Sequence, residues 1–550
     1  MTEWILTKDD FSEHPALDFE RIMRRCRAER IRRLVVPNGT YLIEADYCAQ
    51  AYLAVSNHGH NGPKRIAFLI EDMEDFEIDF CGSLLMCHGI LTPFALLRSK
   101  NIRIKGVRLD SDFTQMLEAR VVAHNEDGSV DLEPIRGMEG FVILRGLLIC
   151  NHAAYPRDLQ PNHLQVEYRG DTGEIEYETG DNTLGQKPFE TNFEQLKNGN
   201  IRCHDVKRRP PVGNVMVFMG SRRVGSGFFL EDCDGVTVSD TIVYACYGMA
   251  YIAQLSKNLT LSDFHTKRAE GRYLTSNADA THFVNCSGDI LVENCSFEGQ
   301  LDDALNIHGI YTRVLDVKGK EILLRQMHIE ATGIRIFHKG DRIRALPTDT
   351  LIPYGEYTVE SVDYINDRIC RLTLEESAEG ISVGDDVENI SASANLVFRK
   401  NVVHNNRARG MLIANIGSSL IEDCYFHTSG SSVKLECDGE YWFESGGVGE
   451  LIIRGCTFDR CLHGKWGKAV IEAQKRKAIK EDSYFHRRVV IENNDFVMYS
   501  DGIAQLNNTE EFIFRNNRIT PAEGFTPYVK ASHIRTPEIQ SDVALNPEEK

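Results

Sequence analysis

Several features that would place this chain in a common class are missing from its sequence. No stretch approaches the ~18 consecutive apolar residues that cross a membrane, so no membrane partner is expected. Residues 1–10 show no basic segment followed by an apolar run, which is the pattern of a signal peptide. We therefore expect a cytoplasmic protein, or a secreted or periplasmic one if a leader has been removed.

Positive charge is also scarce. Lys and Arg number 62 against 81 Asp and Glu, which gives a net charge of −19. Nucleic acid and anionic lipid both require a basic surface, so neither is an expected partner. A polyanionic polymer is disfavoured for the same reason, and a neutral substrate is the simpler interpretation.

Paired cysteine motifs are absent as well. The chain has 15 cysteines, an odd number, and no CxxC pair. This pattern argues against a disulfide framework and favours reduced, buried thiols. Cys295, Cys424 and Cys456 occupy one repeat position that Asn494 and Asn517 share, so we interpret them as stacked turn and core residues rather than metal ligands or nucleophiles.

What the chain does contain is a short β-rich repeat. The pattern is apolar, any residue, Asn/Asp/Gly/Lys, a small residue or Cys/Asn, any residue, apolar. The steps from 238 to 261, from 398 to 421 and from 491 to 514 are each 23 residues. Copies begin at Ile104, Val238, Leu261, Val292, Phe398, Ile421, Ile453, Ile491 and Phe514. Each copy predicts two short strands around a turn residue that tolerates left-handed backbone.

A β-rich repeat of this period predicts an all-β fold, a parallel β-helix in which each coil pairs with the next. Residues 9–33 are predicted to form an N-terminal capping helix, and residues 37–41 a turn into a first strand. Two stretches break the period and are predicted to be inserted β modules with barrel-like character. The predicted division is 1–110 for the cap and first coils, 111–225 for an inserted module, 226–311 for central coils, 312–394 for a second inserted module, 395–525 for C-terminal coils and 526–550 for a loose tail.

Three aspartates stand out against this repeat. Asp302 and Asp303 follow Asp279 by 23 and 24 residues, which is one coil, so their carboxyl groups are expected to lie side by side. We expect a turn or bulge there, with at least two of the acids exposed in a groove. Close carboxyl groups push one pKa up, as acid–base cleavage of a glycosidic bond requires. Structural turn residues or calcium ligands are the alternative interpretation.

At these residues the chain resembles the α-1,3-galactosidases of glycoside hydrolase family 110. The resemblance rests on ADATHF at 278–283, QLDDALNIHG at 300–309, NRARGMLI at 406–413 and YWFESG at 441–446. It implies a right-handed, pectin-lyase-like parallel β-helix with inserted β-barrel modules. It also implies removal of terminal α-1,3-linked galactose from oligosaccharides and glycans, including those of blood-group B type. The layout is similar, more distantly, to that of polygalacturonases.

The resemblance also implies roles for individual residues. Asp302 resembles the general acid, and Asp279 and Asp303 resemble the pair that activates water, with inversion at the anomeric carbon. No cofactor or metal is expected, and a homodimer is a possible assembly. The alternatives are a polygalacturonase-like inverting hydrolase of another sugar and a non-catalytic carbohydrate-binding β-helix. The residues expected to bind substrate are Asn306, His308, Arg407, Arg409, Tyr441, Trp442 and Glu444.

Overall fold

The computed structural model of the protein describes residues 2–59, 61–114, 116–152, 164–185, 192–219, 223–474 and 478–545. Its body is a parallel β-helix with three faces, in which 32 strands of the described residues form one sheet that wraps around a common apolar core. Among the described residues, no helix is long and apolar enough to cross a membrane.

The first face carries the repeat found in the sequence. Neighbouring coils pair in parallel and in register, for example Val292 with Phe398 and Phe398 with Ile421. Its strands are Glu3–Ile5, Arg33–Val35, Ser287–Glu293, Ala394–Arg399, Ser418–Glu422, Glu450–Arg454 and His486–Glu492. Four longer strands bend from the first face into the second, namely Glu74–His88, Lys100–Ser111, Asp234–Val243 and Lys257–Thr266.

The turn between the first and second faces has the predicted left-handed backbone. Asn294, Asp423 and Asn493 have φ of 54°, 54° and 55°, a conformation that Asn, Asp and Gly adopt at least cost. The next position is a stacked ladder, in which Asn494 Oδ1 accepts a hydrogen bond from the Cys456 N–H at 2.9 Å. The strands of the second face are Thr40–Glu44, Ser296–Phe297, Val402–His404, Tyr425–His427, Thr457–Asp459, Asp495–Met498 and Arg518–Pro521.

The third face positions the candidate site. Its strands are Ala49–Leu53, Gly62–Glu71, Thr92–Leu97, Phe228–Glu231, Tyr251–Gln254, Thr281–Val284, Leu305–Ile310, Met411–Ile413, Val433–Leu435, Ile471–Ala473 and Ala544–Leu545. Strands Gly502–Arg515 and Tyr528–Ile539 run from the third face into the first. The short strand Glu444–Ser445 pairs antiparallel with the end of Leu305–Ile310.

Both ends of the β-helix differ in detail from the predictions. The capping helix is shorter than 9–33 and spans Pro15–Glu29, with Phe19, Ile22 and Met23 buried against the core. Strands Glu3–Ile5 and Arg33–Val35 precede Thr40–Glu44, so the strand after the turn at 37–41 is not the first. Residues 526–550 do not form a loose tail throughout, because Tyr528–Ile539 pairs with Gly502–Arg515; residues 546–550 lie outside the described residues.

Two β modules leave the β-helix between coils. One is a six-stranded antiparallel sheet with a separate hairpin, and the other is a closed six-stranded barrel with its own apolar core. The first comprises Leu117–His124, Val130–Pro134, Phe141–Leu144, Leu147–Cys150, Leu164–Tyr168, Phe193–Gln195, Ile201–Cys203 and Val215–Met219. The barrel comprises Thr312–Lys318, Glu321–Gln326, Arg342–Leu346, Gly355–Tyr364, Ile369–Leu374 and Asp386–Asn389. Short 3-10 turns lie at Lys8–Asp10, Ala45–Tyr47 and Ile329–Ala331.

Candidate active site

Three consecutive coils of the third face bring their charged residues to one place. Asp279, Asp303 and Arg409 each lie two residues before a third-face strand, and those strands pair with Thr281 opposite Leu305 and Leu305 opposite Met411. The three charged positions therefore stack in one ladder along the helix axis. The ladder continues in the backbone, where the Ala280 N–H donates to the Asp303 carbonyl at 2.7 Å.

Side-chain alternation along these strands builds the floor of a cavity. Phe283 and Ile307 face the apolar core, so their neighbours His282 and Asn306 face the opposite way. The cavity above them has a volume of about 310 Å³, at the lower end of the ~300–1,000 Å³ range of small-molecule sites. It is lined by Asn57, Arg223, Asp279, His282, Asp302, Asn306, Arg409, Leu412, Glu436, Cys437, Asp438, Trp442, Glu444 and Gln474.

The three aspartates converge as the spacing predicts. One carboxylate oxygen of each lies within 4.8 Å of one oxygen of the other two. The chain bends at residues 301–302, before the strand that begins at Leu305, so Asp302 and Asp303 can both approach the cluster. The expected exposure is wrong: only Asp302 is partly accessible, with 17% of its side chain exposed, against 3% for Asp279 and 0% for Asp303.

Arginine pairing explains how so much negative charge is buried. Arg409 Nη2 donates to Asp302 Oδ1 at 2.8 Å, and its Nε donates to Asp303 Oδ1 at 2.9 Å. Arg223 Nη2 reaches Asp302 Oδ2 at 3.3 Å, and Arg407 Nη1 lies 3.8 Å from Asp302 Oδ1. A buried carboxylate without such partners would cost several kcal/mol.

Burial and the same contacts shift the pKa values of the three acids in different directions. Burial alone would raise the pKa of Asp302, but three guanidinium groups outweigh burial and lower that pKa to about 2. Burial raises the pKa of Asp279 well above its ordinary value, and the neighbouring Asp302 charge adds to the rise. Burial also raises the pKa of Asp303, against the opposing effect of Arg409. The pKa of Asp302 is thus shifted down while those of Asp279 and Asp303 are shifted up, as expected for carboxyl groups that share one site.

This distribution differs from the roles that the family resemblance implies. A general acid must hold a proton before the reaction begins, and Asp302 is the member of the trio that loses its proton most readily. Asp279 Oδ2 instead lies 2.6 Å from Nδ1 of buried His282, and its Oδ1 accepts the Asp303 N–H at 3.3 Å. The directions of the pKa shifts therefore do not follow the order of acidity that those roles require.

A cation could in principle bind between the three acids, because their oxygens are close enough to share one. Arg409 and Arg223 already occupy these oxygens and bring positive charge into the same space. Three carboxyl groups also fall short of the 6–8 oxygen ligands that calcium usually takes. The residues fit an acid cluster neutralised by arginine better than they fit a metal site.

Four of the seven predicted substrate-binding residues line the cavity, namely Asn306, Arg409, Trp442 and Glu444. The other three, His308, Arg407 and Tyr441, are not part of its lining. Arg407 Nε and Nη2 donate to the two carboxylate oxygens of Asp181 in the first inserted module, at 2.8 and 2.7 Å. The Arg407 guanidinium group is therefore already paired. Tyr441 is 68% exposed beside Trp442, whose ring lies 4.8 Å from His328 of the barrel module.

Several lining residues were not identified from the sequence. Asn57 and Arg223 come from segments far along the chain, and neither carries a motif that would identify it. His282 stands inside the ADATHF motif, three residues after Asp279, and its position on the outward side of a strand was the available signal. Glu436 and Asp438 follow the short strand Val433–Leu435, where the repeat is no longer regular.

The opposite pKa shifts of Asp302 and Asp279 predict opposite effects of their asparagine substitutions on the stability of the fold. Asp302→Asn removes the ionised partner of three arginines and should destabilise the fold by on the order of 3 kcal/mol. Burial raises the pKa of Asp279 and so favours its neutral form, which asparagine mimics, so the melting temperature of Asp279→Asn at pH 7 should stay equal to or above that of the wild type. Thermal unfolding of the two variants measures the difference.

The pH dependence provides the control. The lowered pKa of Asp302 contributes stability above about pH 4 that is lost as the pH falls towards about 2. The raised pKa of Asp279 works in the opposite direction, so Asp279→Asn should gain on the wild type as the pH rises from 4 to 7. A larger loss at pH 7 in Asp279→Asn than in Asp302→Asn would contradict the assigned charges.

Two family models agree with this architecture. A family model described as "GLAA-B beta-barrel domain II" matches residues 321–404, and one described as "Right handed beta helix region" matches residues 366–543. Among solved structures, an exopolygalacturonase from Thermotoga maritima aligns over 94% of this chain and 91% of its own, with 10% identity and a TM-score of 0.39.

Curated relatives match over most of the chain. It is 28% identical to alpha-1,3-galactosidase B of Parabacteroides distasonis, over 90% of this chain and 84% of that protein. It is 29% identical to alpha-1,3-galactosidase B of Akkermansia muciniphila, over 88% of this chain and 62% of that protein. It is 26% identical to alpha-1,3-galactosidase A of Bacteroides fragilis, over 94% of this chain and 87% of that protein. The resemblance to the α-1,3-galactosidases is thus confirmed over most of the chain, which folds as a right-handed parallel β-helix.

Proposed function

We propose that this protein is an exo-acting α-1,3-galactosidase that releases terminal galactose from linear or blood-group B type oligosaccharides. The observation that carries the proposal is the convergence of Asp279, Asp302 and Asp303 at one cavity, where the pKa of one acid is lowered and that of another is raised. Cleavage of a glycosidic bond needs this combination. The names of the relatives supply the sugar and the linkage.

The polar lining of the cavity supports a neutral sugar. Among the described residues, Asn306 Oδ1 and Gln474 Oε1 are buried acceptors without a hydrogen-bond partner, and sugar hydroxyls are donors that satisfy such atoms. The modest volume of the cavity suits a chain end rather than the interior of a polymer. Trp442 at the cavity edge offers an apolar surface for a sugar ring.

An acidic sugar, the substrate of a polygalacturonase-like enzyme, fits the cavity less well. Both lining arginines, Arg223 and Arg409, are engaged with aspartates, so neither is free to bind a uronate carboxylate. The remaining charged lining residues include Glu436, Asp438 and Glu444, whose carboxylates would repel it. A non-catalytic binding protein would have no need for three carboxyl groups held this close together.

In the proposed reaction Asp279 and Asp302 exchange the roles that the resemblance implies. Asp279 donates its proton to the departing glycosidic oxygen, and ionised Asp302, which faces the cavity, takes a proton from the attacking water. Asp303 stays behind them and positions Arg409. Inversion is the outcome that the resemblance favours.

The substrate is tested by incubation with a linear α-1,3-linked digalactoside, its fucosylated counterpart and a digalacturonide. Free galactose should appear from the first two and no product from the third. Proton NMR during the first turnovers should show β-galactose, the product of inversion. Initial release of α-galactose would establish retention, and hydrolysis of the digalacturonide alone would contradict the proposed substrate.

The proton donor and the base can be told apart by comparing a substrate whose leaving group must be protonated with one whose leaving group departs without a proton. Asp279→Asn should lose about 10²–10⁴-fold in kcat/KM on the digalactoside. It should lose far less on a dinitrophenyl α-galactoside, whose phenolate departs without a proton. Asp302→Asn should lose activity on both substrates, because both need an activated water.

The matched pair of asparagine variants makes the outcome decisive. If Asp302→Asn keeps its activity on the dinitrophenyl substrate while Asp279→Asn loses it, Asp302 is the acid and the exchange of roles is wrong.

A further inference from the structure

Three aromatic rings form a group at the entrance of the cavity, and we call them the aromatic rim. Tyr441 and Trp442 are both exposed, and their rings meet edge to face with centroids 5.2 Å apart at 89°. His328 of the barrel module completes the group, with its ring centroid 4.8 Å from that of Trp442 and 6.1 Å from that of Tyr441. Contiguous exposed apolar surface of this kind marks a place where a ligand or a partner binds.

The aromatic rim is continuous with the cavity. Trp442 belongs to both, because it also lines the cavity that contains the acid cluster. His328 is not a lining residue, but it lies close to the lining. Besides burial, the charges of Glu444 and Arg223 shift the pKa of His328, and both of these residues line the cavity. A ligand that extends out of the cavity therefore meets the rim.

The loop that carries two of the rings is held by its own hydrogen bonds. Asp438 Oδ1 accepts the Glu440 N–H at 2.7 Å. Asp438 Oδ2 accepts the N–H groups of Tyr441 and Trp442 at 2.8 and 2.5 Å. Phe443 follows with φ of 58°, a left-handed conformation that a bulky side chain adopts only where its surroundings enforce it. The two exposed rings thus have a fixed direction before any ligand binds, which lowers the entropy cost of binding.

The barrel module fixes the same loop from its other side. Arg313, in the first strand of the barrel, donates from Nη2 to the Gly439 carbonyl at 2.9 Å, and its Nε donates to Asp386 at 2.7 Å. The Tyr311 N–H, just before the barrel, donates to the Phe443 carbonyl at 2.8 Å. The packing of the barrel on the β-helix therefore positions all three rings of the aromatic rim.

His328 adds a hydrogen-bond donor to the two apolar rings. Its Nδ1 accepts the Glu330 N–H at 3.2 Å, at the start of the short turn Ile329–Ala331. Burial lowers the pKa of His328 and so favours the neutral ring, whose proton then lies on Nε2. A hexose presents hydroxyl groups around a face of C–H groups, so a donor beside apolar ring faces suits a sugar.

The size of the cavity indicates which sugar the rim would meet. About 310 Å³ suits the terminal galactose of the proposed substrate. The bond to be cleaved joins this galactose to the second sugar, so the second sugar must lie at the entrance. A protein partner fits less well, because stable interfaces bury ~1,200–2,000 Å² and the rim consists of three rings.

We propose that Tyr441, Trp442 and His328 bind the second sugar of the substrate, the one that departs when the terminal galactose is released. The rings stack on the apolar face of that sugar, and the His328 Nε2–H donates to one of its hydroxyl groups. The barrel module thus determines which leaving groups are accepted, because it supplies His328 and holds the loop. This inference rests on the proposed function for the identity of the terminal sugar, but binding of the second sugar is measurable without hydrolysis.

The contribution to hydrolysis is tested with two substrates that differ in the leaving group. A linear α-1,3-linked digalactoside releases a sugar, whereas α-galactosyl fluoride releases fluoride, which has no ring to stack. The measured quantity is the ratio of kcat/KM on the digalactoside to kcat/KM on the fluoride. In Tyr441→Ala and in His328→Ala this ratio should fall roughly tenfold, the size of effect expected for one aromatic contact.

An exposed ring elsewhere on the β-helix provides the matched control. Tyr499 follows strand Asp495–Met498 of the second face and is also exposed, so Tyr499→Ala should leave the ratio unchanged. A ratio that falls no further in Tyr441→Ala and His328→Ala than in Tyr499→Ala would overturn the proposal.

Binding of the second sugar is measured directly by fluorine NMR of the full protein labelled with fluorotryptophan. The chain has three tryptophans, so Trp442→Phe identifies the resonance of Trp442. Methyl β-galactoside serves as the probe for the second sugar and should shift that resonance. The Kd from this titration should rise roughly tenfold in Tyr441→Ala and in His328→Ala. An unchanged Kd in both variants would overturn the proposal.

The outcomes separate this proposal from the proposed function and from self-association. If the wild type hydrolyses neither galactoside, the proposed function is wrong and the NMR titration decides the role of the aromatic rim. If the wild type self-associates in sedimentation and Tyr441→Ala is monomeric, with the ratio and the Kd unchanged, the rim binds a second copy of the chain and the proposal is overturned.

Discussion

The candidate site depends on the in-register stacking of three coils of the third face. Because Thr281, Leu305 and Met411 lie opposite one another, the residues two positions earlier, Asp279 and Asp303, share one ladder with an arginine. A shift of one residue in the register of any of these strands would move the side chains of that strand to the opposite face of the sheet. The backbone pairing that stabilises the solenoid therefore also sets the distances within the acid cluster.

The contacts with arginine determine which carboxyl group of the cluster has its pKa lowered. Three carboxyl groups this close cannot all be ionised in a buried place, and the guanidinium groups of Arg409 and Arg223 both contact Asp302. These contacts therefore favour the ionised state on Asp302, the most accessible of the three acids. Asp279 contacts His282 on its other side, and burial raises the pKa of Asp279. One environment thus shifts the pKa values of two neighbouring carboxyl groups in opposite directions.

Much of this could be predicted from the sequence, because a solenoid converts sequence separation into spatial distance. The 23-residue step predicted the β-helix and the convergence of Asp279 with Asp302 and Asp303, and the Asn and Asp turn residues adopt the expected left-handed backbone. Contacts from outside the repeat could not be predicted in this way. Arg223, which follows the first inserted module in the chain, contacts Asp302, and Arg407 pairs with Asp181 of that module and does not line the cavity. The charge states follow from these long-range partners, so the roles of the acids could not be read from the spacing alone.

The most direct test of the account is a crystal structure of Asp302→Asn with a linear α-1,3-linked digalactoside bound. The account predicts a galactose ring on Asn306 and Trp442, with the glycosidic oxygen within ~3 Å of the Asp279 carboxyl group. It also predicts a water between the anomeric carbon and the side chain at position 302. A disaccharide bound away from this cavity, or a glycosidic oxygen that contacts position 302 and not Asp279, would contradict it.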